Sequence, residues 1–195
     1  HDLRTPLMRI ALHVDHAPEP VRAAVEGEVA DMQAMLAAVL AFLRDQEQPS
    51  HRQRLDLRAM VQSVADELVD EAHRVELADG DPLVIDGNPQ ALKTLVTNLA
   101  RNAVNHAGGR VAIALGADAS IVWLEVRDRG PGIAADMLER MFEPFVRGEE
   151  SRSRATGGIG LGLASARAVA RGHGGDVTLA NRPGGGLVAR AELSR

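Results

Sequence analysis

The chain has 195 residues, 45% of them hydrophobic and 25% charged, with a formal net charge of −5 and no cysteine. That length buries a substantial core and accommodates one or two domains, while the acidic balance and an aromatic content of 2% argue against a nucleic-acid footprint, which needs a basic face and stacking rings. The lack of cysteine excludes disulfides and thiolate metal sites, and no apolar run has the length that spans a bilayer.

Residues 1–46 read as helical. Leu3, Leu7, Ile10 and Val14 recur with the spacing of one helical stripe, and Pro18 and Pro20 then break it. A second stripe runs through Val21, Val25, Glu28, Met32, Met35, Val39 and Phe42. Two stripes across a proline turn make a helical hairpin, and two helices alone bury too little. The expected completion is a homodimer, two hairpins forming a four-helix bundle. The polar segment around Pro49 reads as a linker, which gives a hairpin at 1–47, a linker at 48–54 and a second domain at 55–195.

In that second domain the pattern alternates between strands and helices. A short strand at Leu55-Asp56-Leu57 precedes an amphipathic helix expected over 58–73. Strands at 75–77 and 83–85 flank the Asp79-Gly80-Asp81-Pro82 turn. Asn88-Pro89 is a strong helix start, an N-cap followed by proline at the first helical position, and the helix should run to His106 before Gly108-Gly109. Paired strands follow at 110–115 and 121–127, with Trp123 expected against the core. A short helix over 134–141, a helix over 161–171 and a hairpin of 176–180 with 187–193 complete an α+β fold, an α/β sandwich with helices on one face of a mixed sheet.

Four stretches carry chemistry. On the helix 88–106, Asn98, Asn102, Asn105 and His106 share a face distinct from the apolar one. Asparagine is a poor interior helix residue, and its amide oxygen suits Mg²⁺ that also holds phosphate and water. Asp128-Arg129-Gly130-Pro131-Gly132 follows a strand, where a carboxylate can accept a hydrogen bond from an exocyclic amine. Met141-Phe142-Glu143-Pro144-Phe145 places two of the three phenylalanines in a loop, as a small satellite core or a hinge. Gly157-Gly158-Ile159-Gly160-Leu161-Gly162 opens a helix and presents backbone N–H groups to an anion. The last is not a P-loop, since no Gly-Lys-Ser/Thr follows.

In this order and spacing, N-x-x-x-N, D-x-G-x-G, F-x-x-F and G-x-G-x-G resemble the N, G1, F and G2 boxes of sensor histidine kinases of two-component systems. His1-Asp2-Leu3-Arg4-Thr5-Pro6-Leu7 resembles their H box. The resemblance covers nearly the whole chain and implies an ATP- and Mg²⁺-dependent protein-histidine kinase. His1 would be the phosphoacceptor, Asp2 its neighbouring base, and Thr5 the residue that positions water for phosphatase action. Asn102 would hold Mg²⁺ with Asn98 beside the phosphates, and Asn105 and His106 would line the nucleotide. Asp128 would read the adenine amino group, Gly130 and Gly132 would let the backbone approach it, and Phe145, Arg147, Gly158, Gly160, Leu161 and Gly162 would shape the lid and phosphate loop. The implied partner is a response-regulator receiver domain, whose aspartate would take the phosphoryl group. A longer first helix before His1 and a cytoplasmic location beneath a membrane-anchored sensor are implied as well.

Two departures stand out, the absence of the longer helix expected before His1 and the identity of Asn105. Asn105 occupies a position that is commonly basic in such kinases, leaving Arg101, Arg147, Arg152 or Arg154 to neutralise phosphate. The related gyrase- and Hsp90-type ATPases carry a glutamate one turn before the Mg²⁺-binding asparagine. Asn98 stands there instead and cannot act as a carboxylate base, which weighs against an ATPase. A silent dimeric scaffold is the third reading, disfavoured by the presence of every motif. His13, His16, His51 and His73 lack metal-ligand context, and no zinc site is expected.

Overall fold

A computed structural model describes residues 18–23, 25, 27, 29, 32, 51–69, 74–106, 109–147 and 160–195. The chain divides into two compact units, His1–Arg44 and Asp45–Arg195. In the first, residues 19–23 are helical, as are 25, 27, 29 and 32. Pro18 starts this helix, its carbonyl accepting the N–H groups of Val21 and Arg22 at 2.9 and 3.0 Å. Val29, which lies off the apolar stripe read from the sequence, is buried, whereas Val21 and Met32 on that stripe are half exposed. The earlier helix and most of the hairpin lie outside the described residues. No helix among the described residues is long and apolar enough to cross a membrane.

The second unit runs β1 (Gln53–Asp56), α1 (Leu57–Leu68), β2 (Arg74–Leu77), β3 (Val84–Gly87), α2 (Pro89–His106), β4 (Arg110–Ala117), β5 (Ile121–Arg127), a 3₁₀ turn (Arg140–Phe142), α3 (Gly162–Gly172), β6 (Asp176–Asn181) and β7 (Leu187–Ser194). β1 therefore begins within the segment read as linker. Five strands form one sheet in the order β2-β4-β5-β7-β6, and β1 pairs with β3 in a separate two-stranded ribbon. β2 is parallel to β4 and the other pairings are antiparallel, so the sheet is mixed as expected. Strand alternation supplies its core face, with Val111, Ile113, Val122, Leu124, Ala191 and Leu193 almost fully buried. Leu57, Val61 and Val64 of α1, Leu92, Leu95 and Leu99 of α2, and Ala166 and Val169 of α3 join them in one core.

Local chemistry sets the helix starts. The Asn88 Oδ1 accepts from Gln90 N and Ala91 N at 3.0 and 3.1 Å, satisfying amides that helix geometry leaves unpaired. Asp56 does the same for α1 through Arg58 N and Ala59 N, and also takes Leu83 N at 3.1 Å, which ties the helix to the chain entering β3.

The structure corrects several expectations. α1 ends at Leu68, because Val69 turns extended at ψ 125° with its side chain in solvent. The strands expected around the 79–82 turn are present as β2 and β3, each paired in a different sheet. Residues 135–139 form turns rather than a helix, and Met141 N within the 3₁₀ turn donates back to Met137 O at 3.0 Å. Trp123 is half buried on the face opposite the core. It packs over Gly116, its cross-strand partner, under the Arg190 guanidinium 4.9 Å from its ring centroid.

Arg167 joins three elements. It forks onto Asp176 at 2.7 and 3.1 Å, pairs with Glu139 and lies 4.3 Å over the Phe142 ring. The Arg167 guanidinium, with Arg171 beside it, holds the Asp176 carboxyl well below the usual carboxylate range. A carboxyl depressed by folding adds stability that is fully present above its unfolded pKa of about 3.9 and lost as pH falls toward the folded value. Thermal melts from about pH 7 to about pH 2 should therefore show Asp176→Asn less stable than the parent at neutral pH, with the gap closing in acid. A gap independent of pH would refute this linkage.

Candidate functional site

The end of β5 delivers Asp128, which is 4% exposed. Its backbone extends the sheet by one bond, Asp128 N→Leu187 O at 3.0 Å. Its Oδ1 accepts from Gly130 N at 2.8 Å and Leu187 N at 3.0 Å. That leaves Oδ2 without a hydrogen-bond donor among the described residues and free to accept one. The loop that follows lies directly against the end of α2: a Cβ on Gly130 would stand 2.2 Å from the His106 carbonyl oxygen. Gly132 has φ +81°, and a Cβ there would meet Asn181 Oδ1 at 2.7 Å.

Helix α2, which carries the asparagine face, ends against that loop at His106. Asn98, Asn102 and His106 are partly buried and Asn105 is exposed. A Cβ on Gly162, the first residue of α3, would sit 3.7 Å from Asn98 Oδ1, so the asparagine-bearing part of α2 and the start of α3 adjoin. Among the described residues, none of these four side chains has a hydrogen-bond partner. Partly buried carboxamides in that state call for water, an ion or a ligand.

Phe142 belongs to the main core at 8% exposure, so the satellite-core reading does not hold for it. Phe145 projects outward, 56% exposed, with φ +67°, and donates its N–H to Gly160 O at 2.9 Å. A left-handed bulky residue is strained and persists where surroundings hold it. Gly160, at φ +76°, fits because a Cβ would stand 2.8 Å from Val146 O. Two residues past Phe145, the Nε and Nη2 atoms of Arg147 are buried without a hydrogen-bond partner among the described residues, a costly state for guanidinium donors. Leu161 is buried and leads into α3, its carbonyl accepting Ser165 N at 2.8 Å. His1, Asp2, Thr5 and Gly158 lie outside the described residues.

One end of this site thus offers a bare carboxylate oxygen to a donor such as an exocyclic amine. Helix α2 offers the amide oxygens of Asn98 and Asn102. A shallow cavity of about 290 Å³ against β2 and β4, lined among others by Glu76, Ala112 and Arg127, shares none of these residues.

Sequence reasoning missed the supports beneath the site. Asn181, Arg182 and Gly186 of the β6–β7 hairpin all touch the Asp128 loop, and a Cβ on Gly186 would stand 2.2 Å from Asp128 O. His173 is buried; its Nδ1–H donates to Val169 O at 2.8 Å and its Nε2 accepts from Asn88 N at 3.1 Å. It ties the end of α3 to the start of α2 and must be the neutral Nδ1–H tautomer to do so. The only sequence signals were the Gly172-His173-Gly174-Gly175 run and the glycine-rich hairpin, neither of which states a contact.

The profile of the Histidine kinase-, DNA gyrase B-, and HSP90-like ATPase family (HATPase_c) matches residues 87–195, more than half of the chain. The chain belongs to this family. Among curated relatives it is 33% identical over 196 residues to the sensor histidine kinase GtrS of Pseudomonas aeruginosa, covering 100% of this chain and 40% of that one. It is 36% identical over 200 residues to the probable sensor histidine kinase TcrY of Mycobacterium tuberculosis, covering 94% and 42%. The chain thus spans under half the length of these relatives. Among solved structures, full-length ShkA in complex with AMPPNP superposes with a TM-score of 0.75 at 26% identity, over 99% of this chain and 44% of that one.

Proposed function

We propose that this chain is the phosphotransfer and ATP-binding portion of a sensor histidine kinase. It would bind ATP with Mg²⁺, autophosphorylate on His1 and pass the phosphoryl group to an aspartate of a response-regulator receiver domain. The observation that carries this reading is Asp128, a buried carboxylate whose Oδ1 is held by two backbone amides while Oδ2 has no donor among the described residues and would accept from the adenine amino group. Asn102 would hold Mg²⁺ and Asn98, Asn105 and His106 would flank the phosphates. The unpaired Arg147 donors suit the phosphate charge that Asn105 cannot neutralise. Glycines 158, 160 and 162 would shape the phosphate loop, with Leu161 and Phe145 packing beside it. AMPPNP on ShkA supports ATP as the ligand here.

In the transfer step the unprotonated imidazole nitrogen of His1 attacks the γ-phosphorus. The bond to the β-bridging oxygen breaks, ADP leaves, and Asp2 holds the imidazole proton. Positioning and charge neutralisation account for most of such catalysis. Thr5, four positions after His1 in the sequence, would orient water for phosphatase action. Asn98 in place of a glutamate weighs against direct ATP hydrolysis. Pairing with a second copy through residues 1–47 would cover the half-exposed Val21 and Met32, and the whole protein would be membrane-anchored with this portion in the cytoplasm.

The test is incubation of the protein, extended upstream of His1, with γ-labelled ATP and Mg²⁺. Acid-labile label should appear on the chain and vanish in His1→Gln. Label persisting in His1→Gln removes His1 as acceptor, and ATP turnover without protein label favours the ATPase reading.

A further inference from the structure

The loop 128–133 carries the proposed base-reading carboxylate, yet its own strand holds only one end of it. The rest is held from the β6–β7 hairpin. Asn181, the last residue of β6, is exposed but its carboxamide grips both backbone groups of Ile133: Ile133 N–H donates to Oδ1 at 2.9 Å, and Nδ2–H donates to Ile133 O at 2.6 Å. Arg182 Nη1 donates to Asp128 O at 2.6 Å, and Leu187 N to Asp128 Oδ1 at 3.0 Å. An exposed side chain making two hydrogen bonds adds little to global stability. It does fix a loop that lacks regular structure, and recognition of a base edge tolerates displacements of only about half an ångström.

We propose that Asn181 is a positioning residue for purine discrimination, holding the 128–133 loop so that Asp128 Oδ2 meets a 6-amino purine and repels a 6-oxo one. This rests on the reading of Asp128 as the base acceptor. A carboxylate oxygen accepts from the adenine amine, whereas the guanine O6 is itself an acceptor and is rejected. The rejection depends on where Oδ2 stands relative to the ring, which is what the Asn181 grip controls.

The experiment measures binding of Mg²⁺–ATP and Mg²⁺–GTP to the parent, Asn181→Ala, Asn181→Asp and Asp128→Asn by titration calorimetry, with a thermal melt of each. Asn181→Asp keeps the bond from Ile133 N–H and sets a carboxylate against the Ile133 carbonyl. The expected result is a fall of about tenfold in the ATP/GTP affinity ratio for both Asn181 variants, with a melting shift of no more than about 3 °C. Equal weakening toward both nucleotides, or an unchanged ratio while Asp128→Asn collapses it, overturns the role of Asn181 and leaves the Asp128 reading standing. An unchanged ratio in Asp128→Asn overturns that reading and this inference together.

Discussion

Asp128→Asn is expected to lower ATP affinity by about a hundredfold while barely changing the fold. The asparagine keeps an Oδ1 acceptor for Gly130 N and Leu187 N, so the loop retains both bonds. What changes is the other atom, where Nδ2 replaces Oδ2 and an open acceptor becomes a donor aimed at a donor. Losing a charge-assisted hydrogen bond costs about 1.5–3 kcal/mol, and the opposed donors add to it, which gives roughly two orders of magnitude in affinity. Asp128→Ala should lose the fold contribution as well, since it strands the buried Leu187 amide and the part-buried Gly130 amide. Calorimetric titration with ATP and a thermal melt of each variant separate the two effects. Unchanged ATP affinity in Asp128→Asn would take this carboxylate out of the site.

Gly130→Ala is the second large effect, and it acts through packing. The added methyl would stand 2.2 Å from the His106 carbonyl oxygen and 3.1 Å from its carbon, both backbone atoms. No side chain can swing aside, so either the end of α2 or the loop must move. α2 is locked by Leu99 and Ala103 in the core; the loop is the part that yields. Overpacking of this kind costs about 1–3 kcal/mol, a few degrees in melting temperature for a domain of this size. The same displacement separates Asp128 from the asparagine face of α2, so ATP affinity should fall by more than about tenfold, beyond what the stability loss explains. Gly172→Ala is the control. It sits in α3, where an added methyl would meet nothing within 4 Å, and should be neutral or slightly stabilising. Equal melting temperatures and ATP affinities for Gly130→Ala and the parent would refute the steric argument.

Several elements were legible because the responsible physics is local. Asn88 and Pro89 announce a helix start through an N-cap and a residue that needs no N–H partner, and α2 begins there. The strand expected at residues 121–127 is β5 in the structure. Trp123, expected against the core, lies on its other face. Arg190, 65 residues on from Glu125 and paired with it, covers that ring on the outer face. Residues 134–141 have helix-forming composition, but Ile133 is held by Asn181, 48 residues away, and turns replace the helix.

What the sequence determined alone is the order of elements and the side chains able to do chemistry: the asparagine face of α2, the carboxylate after β5, the glycines before α3. Helical and strand periods, caps and glycine turns act over a few residues and are written in the chain directly. Only the tertiary structure decided which oxygen of Asp128 stays open, that Gly130 abuts the end of α2, and that Asn181, Arg182 and Leu187 support the loop. The three hairpin contacts cross 48 to 59 residues of chain. They exist because β7 pairs with β5 and β6, which brings the hairpin beneath a loop to which no local pattern connects it.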